Sequence, residues 1–507
     1  MKNILSKNGI YVFLIPLFFV LHGYVQNFGL IEVRDCLSLL LSYFVSVIIL
    51  YLFLWLLYRN HLKASLLTGY IFSFYLFFGA IDDFFKAHIF FMSRYVIIIP
   101  IFIISVCCVA IYLKKTGKHF YRLSFFINIL LLIYILVDAG DWAWKSIRNN
   151  TDKLSIYGNE QMNSYRTCSD CKNPDIYFLL FDEYGSSFSL RENFNYNNAG
   201  LDSFLIKKGF SIQTHSHSNY NFTSFSMASI LNLNYISGIK NVNACTIQDY
   251  ANCNNLIRNN EVIRFLSSRQ YDIINYSIFD LAGNPTMLES SLLPIKTRLI
   301  SEQTLYNRMV HDIGWNLYTG KFELKWLTKN IIYGTLNNNN KILALVNHES
   351  SLYNTHPRFV YAHFEMPHPP FYYDRNFQLR DKKELAAEQY GYHIESYKGY
   401  IPYTNRKIEE LIDTIQNNTQ NSAVIILMGD HGYRVEMDTS SRLHHFSNLN
   451  AVYFPNREYQ FMTDSINGVN QFRAILNTLF KQQLPLLKDS LIFLTDKKVA
   501  PLPGATD

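Results

Sequence analysis

The chain has 507 residues, of which 49% are hydrophobic and 16% aromatic, with a formal net charge of +6. That length exceeds one ordinary domain, and that apolar content speaks against a wholly soluble protein. The positive charge is no argument for nucleic acid, because much of it lies in short loops beside apolar runs rather than on one patch.

Five apolar runs occur before residue 140: 10–27, 37–57, 65–81, 95–113 and 122–138. A helix needs about 20 residues to cross the roughly 30 Å hydrocarbon core of a bilayer, so each run is read as a membrane span. The first is not read as a cleaved signal peptide, since no small-x-small site follows it and further spans do. Loops rich in Lys and Arg stay cytoplasmic. Lys2 and Lys7, then Arg59 and Lys63, then Lys114, Lys115, Lys118 and Arg122 all fall on one side. An odd number of spans then places everything after residue 140 outside the cytoplasm. Trp142 and Trp144 suit the membrane interface.

The expected layout is a five-span helical domain over 1–140, a linker or interfacial arm over 141–173, and an exported globular domain over 174–507. Cys168, Cys171, Cys245 and Cys253 lie outside the spans, and two local disulfides are expected. Cys107 and Cys108 lie inside the fourth span and are expected to pack there. No internal repeat is evident.

Three apolar runs of the exported part end in ligand-type residues. PDIYFLLFDEYG (174–185) ends in Asp182 and Glu183, RFVYAHFEMPHPPF (358–371) carries His363 and His368, and AVIILMGDHGYR (423–434) ends in Asp430 and His431. Runs without alternation suit strands covered on both faces, hence a mostly parallel sheet in an α/β domain with ligands beyond the carboxyl ends of its strands. Gly432 would let the backbone turn away there. Taken singly, Asp-His-Gly is also a plain turn. Carboxylates with imidazoles are a ligand set for zinc, or for manganese with more oxygen ligands.

The stretch SNYNFTSFSMASILNLNYIS (218–237) predicts a helix starting near Thr223. There Thr223 is either a capping hydroxyl or a hydroxyl held in positive potential beside a phosphate.

These residues in this order resemble the membrane-anchored branch of the alkaline phosphatase and sulfatase superfamily. The likeness is greatest to the phosphoethanolamine transferases and lipoteichoic acid synthases, which carry five spans before the catalytic domain. The resemblance implies an alkaline phosphatase-like exported domain in a multi-pass protein of the bacterial inner membrane. It further implies Thr223 as a nucleophile that becomes phosphorylated, with Ser224 and Ser226 as substitutes. A metal would be held by Asp182 (or Glu183), Thr223, Asp430 and His431, and a second metal or the substrate phosphate by His363, His368 and His444 (or His445).

The implied reaction moves a phospho-head group from a phospholipid donor to an envelope glycan or lipid. The rivals are a phosphodiesterase or atypical sulfatase with the same site, and a non-catalytic protein that binds envelope polymer. No Cys or Ser sits in a C/S-x-P-x-R setting, which disfavours the formylglycine mechanism, and Tyr433 and Arg434 follow Asp-His-Gly where Glu or Ser is usual. Within 280–357 the run Asn337–Asn340 reads as a surface loop, His215, His217 and His393 read as surface histidines, and the abundant Tyr and Phe are assigned to packing.

Overall fold

The computed structural model describes residues 2–28, 31–147, 154–156, 165–168, 170–288, 297–312, 333–388, 393–435 and 442–496. The chain divides into two compact units. The first holds the N-terminal helices together with the short helices Arg298–Ser301 and Leu305–Asp312, and the second holds the sheet described below.

All five apolar runs of the first unit are helical. Val33–Tyr58, Tyr95–Lys115 and Tyr121–Ile147 are long and apolar enough to cross a membrane, and His61–Leu76 with Phe78–His88 makes a fourth span if that pair, bent by 61°, is counted as one. The helix of the first run, Tyr11–Gln26, has 16 residues, about four short of the usual bilayer requirement. The last helix runs past the expected end of its span to Ile147, so Trp142 and Trp144 continue it rather than opening a linker. Most of 145–164 lies outside the described residues.

Among the described residues the second unit has eight strands: β1 (Ser155–Ile156), β2 (Ile176–Phe181), β3 (Ser211–Ile212), β4 (Ile236–Ser237), β5 (Asp272–Tyr276), β6 (Arg358–Phe364), β7 (Val424–Met428) and β8 (Asn450–Tyr453). β1 and β4 form a small antiparallel pair, and the other six form one sheet in the order β3-β8-β7-β2-β6-β5. The four strands β7, β2, β6 and β5 are parallel, while β8 and β3 complete one edge in antiparallel fashion.

Every residue of β2, β6 and β7 is buried, as expected for apolar strands sandwiched between helices. Tyr177, Leu179 and Phe181 share a core with Ile401, Ile408 and Leu411 of helix Ile394–Asn418. Phe178 faces the opposite layer, where its ring meets Phe472 of helix Gly468–Phe480 at 5.2 Å.

The register places Leu180 beside both His363 and Met428. Asp182 and Asp430 therefore leave the sheet at the same edge as His363.

Two expectations change. Asn337–Asn340 is not a loop but part of helix Gly334–Ser351, and Asn339 is buried there. Its Nδ2 donates to the Glu365 carbonyl at 3.0 Å and its Oδ1 accepts from the Glu365 N–H at 2.9 Å. Cys168 and Cys171 form the expected disulfide, but Cys245 and Cys253 are free and buried. Cys253 is committed to helix Ile247–Arg258, whose N-terminus is fixed by a capping box on Thr246 and Asp249 directly after Cys245.

At the other end of the sheet Arg358 is 3% exposed and spans two acids. Its Nε and Nη2 donate to Asp175 Oδ2 at 3.0 and 2.6 Å, and its Nη1 donates to Glu349 Oε1 at 3.2 Å. Removing one partner of a buried ion pair strands the other charge. Arg358→Ala is expected to lower the stability of this unit by about 3–5 kcal/mol, read as an earlier denaturant midpoint. A change below 1 kcal/mol, on the order of an exposed ion pair, would contradict the buried network.

Candidate active site

Asp182 and Glu183 follow β2 directly, and the backbone separates their carboxylates. Glu183 has φ 59°, an uncommon left-handed conformation for a residue with a side chain. It is held there by its own N–H, which donates to Asp430 Oδ1 at 3.0 Å, and by its carbonyl, which accepts from the Tyr397 hydroxyl at 2.8 Å. The Glu183 carboxylate turns to Arg434, which bonds it through Nε, while Asp182 stays with Asp430 and His431.

One ligand atom from each of Asp182, Asp430 and His431 lies within 4.8 Å of the others, and all three residues are fully buried. Between the alternatives left open by the sequence, the geometry selects Asp182 over Glu183.

This set fits a divalent cation on its hydrogen bonding alone. Neither oxygen of Asp182, nor Oδ2 of Asp430, has a hydrogen-bond partner among the described residues. Buried carboxylate oxygens without partners are costly and rare. His431 Nδ1 lies 2.9 Å from the Gly432 carbonyl, which can only accept, so the proton is assigned to Nδ1 and the Nε2 lone pair faces inward. That lone pair sits 3.0 Å from Asp430 Oδ2, a repulsive meeting unless a cation lies between. Backbone fixation of the outer ring nitrogen is also how metal-bound histidines are oriented.

Burial, with the Asp430 charge beside it, holds the Asp182 carboxyl well above the usual carboxylate range. For Asp430 burial pushes the same way, but His431, His363, the Glu183 N–H and the Thr223 hydroxyl together outweigh it and the value falls. Burial lowers His431 despite Asp430, which favours the neutral ring.

Thr223 is the first residue of helix Thr223–Leu231, and its side chain makes no cap; the N-cap residue is Phe222, without a side-chain cap bond. The hydroxyl instead lies 3.2 Å from His431 Nε2. Unlike the acids and His431 it is only half-buried, so it is the member of the group open to a substrate. Ser226, one of the substitutes, donates to the Asp430 carbonyl at 2.6 Å and supports the loop. Ser224 is buried.

The remaining histidines divide. His363 Nε2 is 3.4 Å from Asp182 Oδ2, and neither ring nitrogen has a hydrogen-bond partner among the described residues. His368 acts electrostatically on Asp182, with its Nδ1 2.7 Å from the Pro369 carbonyl. His444, by contrast, spends Nε2 on the Val435 carbonyl at 2.8 Å and rests against Phe194. Its neighbour His445 has neither ring nitrogen bonded among the described residues, and burial together with His444 and His431 lowers it to about 3. Of the two rings, that of His445 is the uncommitted one among the described residues.

Gly432 is required for a reason other than a turn. A Cβ on it would lie 1.9 Å from the His444 carbonyl oxygen and 2.7 Å from that of Ser447, so the glycine admits a close backbone approach. The sequence reading also missed the Glu183–Arg434 pair, although Arg434 had marked itself by departing from the expected pattern. It gave no signal for Tyr397, whose ring stacks on Tyr433 at 3.9 Å.

The family model described as Sulfatase matches residues 311–468, a stretch that contains His363, His368, Asp430, His431 and His444. Over that stretch the chain is similar to a sulfatase-family domain. A search of curated proteins finds no match.

Among the solved structures similar to this chain are the following three. One is the zinc complex of the C-terminal periplasmic domain of EptC from Escherichia coli (8% identity, covering 69% of this chain and 93% of that one, TM-score 0.37). Another is the C-terminal periplasmic domain of the phosphoethanolamine transferase EptC from Campylobacter jejuni (11% identity, 64% and 95%, TM-score 0.35). The third is a phosphonate monoester hydrolase of Agrobacterium radiobacter (12% identity, 60% and 73%, TM-score 0.37).

Proposed function

We propose that the protein is a metal-dependent transferase that moves a phospho-head group, of phosphoethanolamine or phosphoglycerol type, from a phospholipid to an envelope glycan or lipid. In this reading five spans within 1–140 anchor it as a multi-pass protein of the bacterial inner membrane. An arm over 141–173 follows, and the catalytic domain over 174–507 lies on the periplasmic side. Zinc is the preferred ion, with manganese the alternative.

The observation that carries the reading is the Thr223 hydroxyl at 3.2 Å from His431 Nε2, beside both oxygens of Asp182 and Oδ2 of Asp430, which have no hydrogen-bond partner among the described residues. Asp182, Asp430 and His431 would hold the cation, with Thr223 as its remaining ligand. Once bound, the ion would supply a lowered hydroxyl pKa and positive charge against the phosphoryl oxygens.

Thr223 Oγ gives up its proton and forms the bond to phosphorus, while the bond from phosphorus to the donor oxygen breaks and that oxygen takes up a proton to leave as the free alcohol. His363 would direct a ring N–H at the departing oxygen. An acceptor alcohol then takes the group from phospho-Thr223, restoring the hydroxyl.

The sulfatase description of the family match favours a second reading, in which water is the acceptor and the same site works as a phosphodiesterase or sulfatase-like hydrolase. One measurement divides them. Membranes holding the protein are given phospholipid labelled in the head group. Label recovered on a glycan or lipid supports transfer, label recovered only as free head group supports hydrolysis, and absence of release refutes both.

A further inference from the structure

Helices Arg298–Ser301 and Leu305–Asp312 belong to the first unit, although the sequence before and after them, β5 and β6 included, belongs to the second. Their fit among the membrane helices is specific.

Ile300 is 2% exposed and lies in the cluster built from Tyr11, Phe19, Tyr43 and Phe72. It reaches that depth because Gly23 has no side chain; a Cβ there would lie 2.8 Å from Ile300 Cγ2. Gly79 provides a second close approach, since its Cβ would lie 2.1 Å from Gln303 Oε1 and 3.0 Å from Gln303 Cα. Three residues beyond Ile300, the Gln303 carbonyl accepts from the Gly79 N–H at 2.8 Å. Arg308 Nη2 closes the contact on Asp83 at 2.8 Å.

The Gln303 bond falls where the membrane helix is broken. Phe77 ends His61–Leu76 and begins Phe78–His88, and no side chain caps the second helix. A break in a membrane helix frees backbone N–H groups that lipid cannot satisfy. The Gln303 carbonyl supplies the partner that one of them needs.

We infer that Arg298–Asp312 is an internal strap: a segment of the catalytic sequence that seats in a notch made by Gly23 and Gly79 and retains the catalytic unit on the membrane without help from the linker after Ile147. The partner of this helical surface is thus another stretch of the same chain. The strap also completes the broken helix.

The test uses the full chain in membranes with a specific protease site placed between Ile147 and Leu154. After cleavage the C-terminal fragment should stay with the membrane pellet through a high-salt wash. In a Gly23→Trp version it should be lost to the supernatant, because the notch is filled. Release of the cleaved parent fragment overturns the inference, as does equal retention with Gly23→Trp.

A second measurement does not depend on how the tryptophan variant folds. Gly23→Cys combined with Ile300→Cys, oxidised and then cleaved, should run as one band until reduced, and two bands before reduction overturn the inference. Both readouts follow position rather than turnover, so their failure would leave the proposed reaction standing.

Discussion

Replacing Thr223 with alanine is expected to abolish turnover while leaving the fold unchanged. Its hydroxyl lies 3.2 Å from His431 Nε2 and caps no helix, so the side chain has a chemical task and little structural one. Losing a nucleophile costs on the order of 10³-fold or more in rate, whereas losing an N-cap costs about 1 kcal/mol of stability. The decisive pair of measurements is head-group release and the mass of the Thr223 peptide after exposure to donor. The parent should carry a phosphorylated adduct on that peptide, and Thr223→Ala should show neither adduct nor release at an unchanged melting temperature. Turnover retained in Thr223→Ala would transfer the role elsewhere. An unaltered rate together with a lower melting temperature would return Thr223 to a purely structural part.

Asp182→Asn is expected to change sign with the metal. Without added divalent ion, the parent buries two neighbouring carboxylates, and neither Asp182 oxygen has a hydrogen-bond partner among the described residues. Burial and Asp430 oppose ionisation of Asp182; replacing it by a neutral amide removes that penalty, so the variant should be more stable than the parent by about 1–3 kcal/mol. With zinc at a thousandfold excess over its dissociation constant, the parent should gain about 4 kcal/mol from binding, and the variant, missing a ligand, far less. Thermal melts in chelator and in zinc therefore cross. Parallel shifts of the two proteins on adding zinc would remove Asp182 from the ligand set.

The parts of the molecule legible in the sequence are those where one segment states its own environment. β2, β6 and β7 have apolar runs without alternation, and each ends on residues that make no sense inside a sheet; the runs foretell burial on both faces and the ends foretell the edge. Thr223 before an apolar helical pattern was readable in the same way, though as a cap or a nucleophile alike, and only its distance to His431 decides.

What was not readable depends on distant segments meeting. The choice between Asp182 and Glu183 turns on a left-handed backbone held by Asp430 and Tyr397, hundreds of residues downstream. His444 and His445 are adjacent in a short 3₁₀ turn, and the Val435 carbonyl rather than any local pattern determines which ring is committed. The Asn337–Asn340 run misled for the opposite reason. Asparagine is a poor helix former, and burial against the end of β6 overrides that preference.

That asparagine run has a mechanical side. Through its two bonds to Glu365, Asn339 imitates one more rung of the ladder just past the end of β6, at the root of the loop that bears His368. The root is thereby fastened to helix Gly334–Ser351 instead of to a neighbouring strand. A substitution at Asn339 that removes these two bonds is therefore expected to loosen the base of the His368 loop from a position outside the Asp182, Asp430 and His431 cluster.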